Sequence, residues 1–287
     1  MRSGIKKIFL YSIIGGVFMT SNASTAEELK LEFPQASPAC TLKQRVGLTN
    51  ITVDYSRPGA KGRKIFGDVV PFDQIWRTGA NGATKISFST PVRLNGHKVD
   101  AGNYLLLTIP GESEWTIILN KAAELWGTAK YDKSLDAVRF TVKPNTIIEL
   151  RDAFTIEFDT IRDQSSKLNL IWDKTKIPIE LKVEYVNELH KQIEEVMKSD
   201  QKDKPFFRAA AFYYEHDLDL EKAKLWIDAA LKESEAFYMV HMKALILEKL
   251  GEKEAALAEA KRSLKLSKDA DDYAYIRKNE ALIKSIQ

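Results

Sequence analysis

The stretch Asn103-Tyr104-Leu105-Leu106-Leu107-Thr108-Ile109-Pro110-Gly111-Glu112-Ser113-Glu114-Trp115-Thr116-Ile117-Ile118-Leu119-Asn120 decides the fold class. Two short runs rich in β-branched and aromatic side chains flank a Pro-Gly breaker, the pattern of two strands and a turn; each run is too short for a packed helix. Immediately upstream, Asn95-Gly96 separates Val92-Arg93-Leu94 from His97-Lys98-Val99. Asn-Gly tolerates the two positive φ angles of a two-residue hairpin turn, so these runs also read as paired strands. Consecutive hairpins make an antiparallel meander. Similar runs mark 49–55, 84–90, 137–143, 153–159, 167–172 and 177–183. Many short strands with almost no helix predict an antiparallel sandwich or jelly roll over residues 41–183.

Beyond residue 184 the apolar period becomes helical. Residues 185–199 predict a first helix, Pro205 opens another and Gly251 punctuates a later pair. Ala211, Tyr214, Ala223, Ile227, Ala230 and Leu231 align, 33 positions on, with Ala244, Leu247, Ala256, Ala260, Ser263 and Leu264. Small residues at such spacing let antiparallel helices approach closely. The pattern resembles two tetratricopeptide-like repeats, whose period is about 34 residues; a plain helical hairpin bundle is the alternative. Residues 184–287 are therefore read as a helical repeat-like domain, a surface suited to a protein partner.

With 44% hydrophobic and 10% aromatic residues the chain is too apolar to stay an unfolded polymer, and 287 residues suffice for two cores. The single cysteine, Cys40, excludes an internal disulfide and a cysteine-based zinc site. Residues 1–26 read as a secretory signal: Arg2, Lys6 and Lys7 precede an apolar run from Ile8 to Met19, and Ser24-Thr25-Ala26 offers small residues for cleavage. That run is shorter than the about 20 apolar residues a spanning helix needs, so no membrane span is expected after cleavage. A periplasmic, outer-envelope or extracellular location follows, with 27–40 a linker. The formal charge of +3 lies wholly in residues 1–26, where three basic residues meet no acidic one. The remainder is neutral, and neutrality together with export argues against a nucleic-acid partner.

The segment 55–82 is a long excursion between strands with five glycines and two prolines. Long loops on a rigid β scaffold are where function concentrates. Arg57, Lys61, Arg63, Lys64 and Arg77 face only Asp68 and Asp73 in it, so it is locally basic. A guanidinium fork suits carboxylate, phosphate or sulfate, and the neighbouring Trp76 offers a flat face to a sugar or aromatic ring. Arg57, Lys61, Arg63, Trp76, Arg77 and Asn81 are the candidate ligand-binding residues, for a small anionic or sugar ligand. The competing reading is structural: the arginines brace the loop while Phe66, Phe72 and Trp76 tuck into the sandwich.

Several motifs here, Gln44-Arg45-Val46-Gly47, Tyr55-Ser56-Arg57-Pro58, Lys61-Gly62-Arg63-Lys64-Ile65-Phe66-Gly67, Trp76-Arg77-Thr78-Gly79-Ala80-Asn81, Ala101-Gly102-Asn103-Tyr104 and Ile109-Pro110-Gly111, continue to Trp115 in order. In these the chain resembles the domain-of-unknown-function 2911 family over roughly 36–183. The resemblance implies an exported bacterial protein with a β-rich domain, sometimes with a helical tail, and carries over no catalytic residue.

Catalytic constellations are sparse. His97 follows the Asn-Gly turn and reads as a solvated hairpin residue; Ser56 lies in no nucleophile elbow. His190, His216 and His241 lack metal-ligand spacing, and no phosphate or dinucleotide fingerprint appears. No cofactor and no metal are expected. The leading expectation is a non-enzymatic, exported binding module of the cell envelope. One alternative is an envelope hydrolase or lyase acting on glycans or small anions, with Asp68 or Asp73 as general base beside Arg57 or Arg77. The other is a structural scaffold.

Overall fold

Side chains that alternate along a strand build two faces, and here the buried face of each sheet is covered by the other sheet. The computed structural model describes residues 33–287; the predicted signal, 1–26, and residues 27–32 of the linker lie outside the described residues. Phe33, Pro34, Gln35 and Ala36 are exposed and belong to no strand or helix.

Ten strands follow, β1 (Ala39–Val46), β2 (Thr49–Ser56), β3 (Thr84–Phe88), β4 (Val92–Leu94), β5 (His97–Val99), β6 (Gly102–Ile109), β7 (Trp115–Asn120), β8 (Asp136–Val142), β9 (Asn145–Asp159) and β10 (Ser165–Val183). They form an antiparallel sheet in the order β1-β2-β3-β6-β7-β8 and a second in the order β5-β4-β10-β9. The predicted hairpin turn is in place: Leu94 pairs with His97, and Asn95 and Gly96 have φ of 45° and 84°. Inward side chains such as Ile51, Val53, Ile86, Leu106, Ile117, Leu170, Ile179 and Leu181 make one core between the sheets.

Three features depart from the strand reading, the first being β9, which begins at Asn145, eight residues before the predicted run 153–159. β1 was not anticipated, because its residues are mostly exposed or half-buried and its alternation is weak. β10 joins two predicted strands into one of 19 residues. Its Pro178 lies between the ladder to β9, which ends at Lys176, and the ladder to β4, which begins at Leu181. A residue without N–H is tolerated where no partner strand needs one.

Six helices complete the chain, α1 (Val186–Lys198), α2 (Phe206–Glu215), α3 (Leu220–Glu233), α4 (Phe237–Lys249), α5 (Lys253–Asp269) and α6 (Tyr273–Ile286). Asp219 and Asp272 cap α3 and α6 by accepting from Lys222 N and Tyr275 N. Gly251 turns α4 into α5 at φ 83°. Ala223, Ile227 and Ala230 are buried, as are their counterparts Ala256, Ala260 and Ser263. Ala211 and Tyr214 are half-buried where Ala244 and Leu247 are buried. This is compatible with a degenerate two-repeat array ending in a further helix.

Residues 37–287 form one compact unit, and the strand-to-helix junction is tight. Tyr185 donates its hydroxyl to the Asp163 carboxylate, and His216 Nε2 lies 3.6 Å from the same group. Burial first, then the Asp163 bond, pushes the Tyr185 phenol well above its usual range. Gly47, in the turn between β1 and β2, has φ 53°, and a β-carbon there would lie 2.6 Å from the Tyr185 ring and 2.9 Å from the Asp163 carbonyl oxygen. Gly47→Ala is therefore expected to lower stability by about 2 kcal/mol, through left-handed strain plus displacement of Tyr185. A shift of the urea midpoint measures it; an unchanged midpoint would show that the ring moves aside freely.

Candidate functional site

Four non-glycine residues of the 57–83 excursion, Lys61, Asp73, Thr78 and Asn81, sit at positive φ between 51° and 58°. Such strain persists only where surrounding bonds over-determine it. Those bonds are visible. Arg57 Nε donates to Phe154 O at 3.1 Å and its Nη2 to Thr155 Oγ1 at 2.8 Å, docking the loop on β9. Arg63 closes the loop on itself through Gly59 O and Ala60 O. Lys61 is exposed, with its backbone N–H held by the Asp152 carboxylate. Asn81 Nδ2 donates to Ser37 O and Ser56 Oγ.

Trp76 packs against the core between the two sheets. Its ring is stacked on Trp172 at 5.9 Å and meets Phe66, Trp115 and Phe154 edge-on. Its Nε1 donates to Gly79 O, and its backbone pairs with Thr108. Asp68 and Asp73 are exposed. His97 is exposed with its ring stacked on Phe140, and Cys40 is a free, half-buried thiol.

Arg77 differs from its neighbours. Its Nε is buried without a partner, and its guanidinium makes no hydrogen bond or ion pair within the described residues. The next residue, Thr78, is fully buried and β-branched at φ 55°, held by Thr108 Oγ1 and, through its carbonyl, by Thr84 Oγ1. A backbone this constrained fixes where Arg77 leaves the loop.

The outward face of the six-stranded sheet carries a second, smaller apolar cluster of Ala83, Leu105, Leu107, Ile118 and Leu125. The segment 121–135 covers it. That cover is fastened by Asn120, fully buried, whose Nδ2 donates to Asp132 O and Asp136 Oδ1 and whose Oδ1 accepts from Ala122 N. Tyr131, Asp136 and Arg139 add a bonded triad, and burial followed by the Asp136 bond raises the Tyr131 phenol. Beside the cover lies a groove of about 410 Å³ lined by Thr52, Asp54, Lys85, Ser87, Asn103 and Lys121. A shallower hollow of about 260 Å³ shares Asp54 and Lys85 and runs to Ser56, Gly82 and Ala83. Asp54 accepts from Thr41 Oγ1 at 2.5 Å. Neither Lys85 nor Lys121 forms an ion pair among the described residues.

Of the candidates read from the sequence, Arg77 is the one whose guanidinium has no partner among the described residues, and Lys85, Lys121 and Trp126 were not among those candidates. The alternation of β3 marks Lys85 as outward-facing, but nothing local shows that the outward face is half roofed. Among the described residues no three of His, Cys, Asp and Glu gather where a metal ion would bind, and no helix is long and apolar enough to cross a membrane.

A two-sheet antiparallel sandwich with a helical-hairpin extension defines the class. The chain belongs to the family described as "Protein of unknown function (DUF2911)", which matches residues 37–181. Neither a curated protein nor a solved structure matches it.

Proposed function

We propose that this is an exported binding module of the cell envelope that captures a small anionic, hydroxyl-rich ligand in the groove between Lys85 and Lys121, without catalysis. The observation that carries the reading is that groove: Lys85 and Lys121, neither ion-paired among the described residues, beside the Asp54 carboxylate and the hydroxyl and amide groups of the strand residues Thr52, Ser87 and Asn103. Few convergent polar groups on a rigid scaffold suit capture and orientation. Export rests on residues 1–26, and the helices supply a surface for a protein partner. Hydrolysis fits less well, since Asp68 and Asp73 are exposed and a general base is usually tuned by shelter. A pure scaffold fits less well too, since Arg77 is left without a partner.

Ligands that bind only the folded state raise its melting temperature. Thermal shift against dicarboxylates, sugar phosphates and neutral sugars is expected to pick out anionic members for the wild type. Lys85→Gln/Lys121→Gln is expected to erase the shift while melting normally without ligand. An unchanged shift in that variant, or none in the wild type, would remove the groove as the site.

A further inference from the structure

Trp126 is 79% exposed on the cover segment, while Trp115 and Trp172 are 2% exposed and Trp76 and Trp226 are partly buried. A lone exposed apolar side chain needs no explanation by itself. Trp126 is not alone. It forms an antiparallel bridge with Gly82, the Ala83 N–H donates to Leu125 O at 2.9 Å, and Leu125 is buried. The indole therefore stands on backbone fixed on both sides. Arg77 Nη1 lies 3.9 Å from the place a β-carbon on Gly127 would take, so the partnerless guanidinium reaches the residue next to Trp126. A β-carbon on Gly82, the bridge partner of Trp126, would meet nothing within 4 Å, so the surface on that side of the bridge is open.

We propose that Trp126 and Arg77 form a subsite for an acidic sugar ring, a uronate unit of an anionic glycan, with the indole under the ring and the guanidinium on its carboxylate. This rests on the binding-module reading and names the ligand class at the rim of the same surface. Three points lead to it. Arg77 Nε is sealed from water, so the cation is only partly hydrated and a carboxylate on its terminal nitrogens gains a stronger charge-assisted bond than at a fully solvated arginine. A flat aromatic base favours an aromatic or sugar ring, and an open platform favours the sugar. A nucleobase gains most when enclosed on both faces; a pyranose stacks one C–H face and keeps its hydroxyls in water. Finally, the hollow lined by Gly82, Ala83, Ser56 and Lys85 leads from this rim toward the Lys85–Lys121 groove, a polar path along which neighbouring units of the glycan can lie.

The test is titration of the full chain with trigalacturonate, with neutral galactotriose and a nucleoside monophosphate as comparison ligands. Binding is read by calorimetry and by protection of the exposed indole from acrylamide quenching. The expected result is saturable protection by trigalacturonate, weakened by added salt, and at least tenfold tighter binding than for either comparison ligand. Trp126→Ala is expected to abolish the protection and weaken calorimetric binding at least tenfold. Arg77→Gln is expected to weaken trigalacturonate at least tenfold and leave galactotriose unchanged. Should Arg77→Gln fail to fold, Arg77→Lys, which keeps charge and stem but not the fork, is expected to lose severalfold.

Equal binding of the acidic and neutral trimers, preference for the nucleotide, or full calorimetric affinity in Trp126→Ala would overturn the subsite. If Lys85→Gln/Lys121→Gln still erases the anion thermal shift in that event, the binding module stands and only this subsite falls. If neither set of variants changes any binding, both readings fall.

Discussion

Trp76→Ala is expected to lower stability by about 3–5 kcal/mol, the usual cost of deleting a core aromatic ring, and the melting temperature by about 10 °C. The reason is the number of rings that lean on it. Phe66, Trp115, Phe154 and Trp172 all lie with centroids within 6.3 Å of its own; Phe66 also meets Trp115 and Trp172, and Phe154 meets Trp172. Removing this ring opens a hole beside the sandwich core and frees the Gly79 carbonyl from its Nε1 bond. It also loosens the loop that carries Arg77. Trp76→Phe, which keeps a ring but not the donor, should lose less than half as much. Trp126→Ala, by contrast, removes an exposed ring and should change stability by less than about 0.5 kcal/mol. Guanidinium unfolding of the three variants checks the order; a Trp76→Ala midpoint near wild type would mean that the cluster does not hold the loop.

That contrast shows what sequence carries and what it does not. The Asn95-Gly96 turn, the β6–β7 hairpin and the change of period at residue 184 are local properties, and each was readable from residues within a few positions of one another. Loop bracing by Arg57 was also foreseeable as one of two readings, but its acceptors, Phe154 O and Thr155 Oγ1, lie almost a hundred residues away. The burial of Trp76 was likewise foreseeable only as one of two readings, and the exposure of Trp126 was not readable. Trp76 and Trp126 each sit in a segment without periodicity, and only the pairing of Gly82 with Trp126 and of Trp76 with Thr108 turns one ring out and the other in. The groove escaped for a related reason. Lys85 and Lys121 come together through strand order β3-β6-β7, a long-range property that alternation along one strand does not encode.

The helical half offers the second large effect, a buried polar hub between α4, α5 and α6. Asn279 is fully buried; its Nδ2 donates to Ser263 Oγ, Ser267 Oγ and Tyr275 O, so its Oδ1 is the acceptor facing His241 Nδ1 at 2.8 Å. His241 must therefore carry its hydrogen on Nδ1, and any second proton goes to Nε2. Asn279→Leu leaves that N–H buried without an acceptor and should cost about 2–3 kcal/mol. Burial, and secondarily the nearby Lys278 charge, holds the imidazolium below its ordinary range, with the Asn279 bond opposing them. The sign follows. The unfolded chain takes up the proton near pH about 6.5 before the folded chain does, so stability is complete above that pH and falls as pH drops through it, until the folded imidazole also protonates. His241→Asn, which keeps a donor near the Nδ1 position but cannot titrate, should show a smaller loss of unfolding free energy between pH 7.5 and pH 5.5 (values on the order of one unit either side of the free imidazole) than the wild type. Equal pH slopes for the two proteins would show that the hub tolerates the charge.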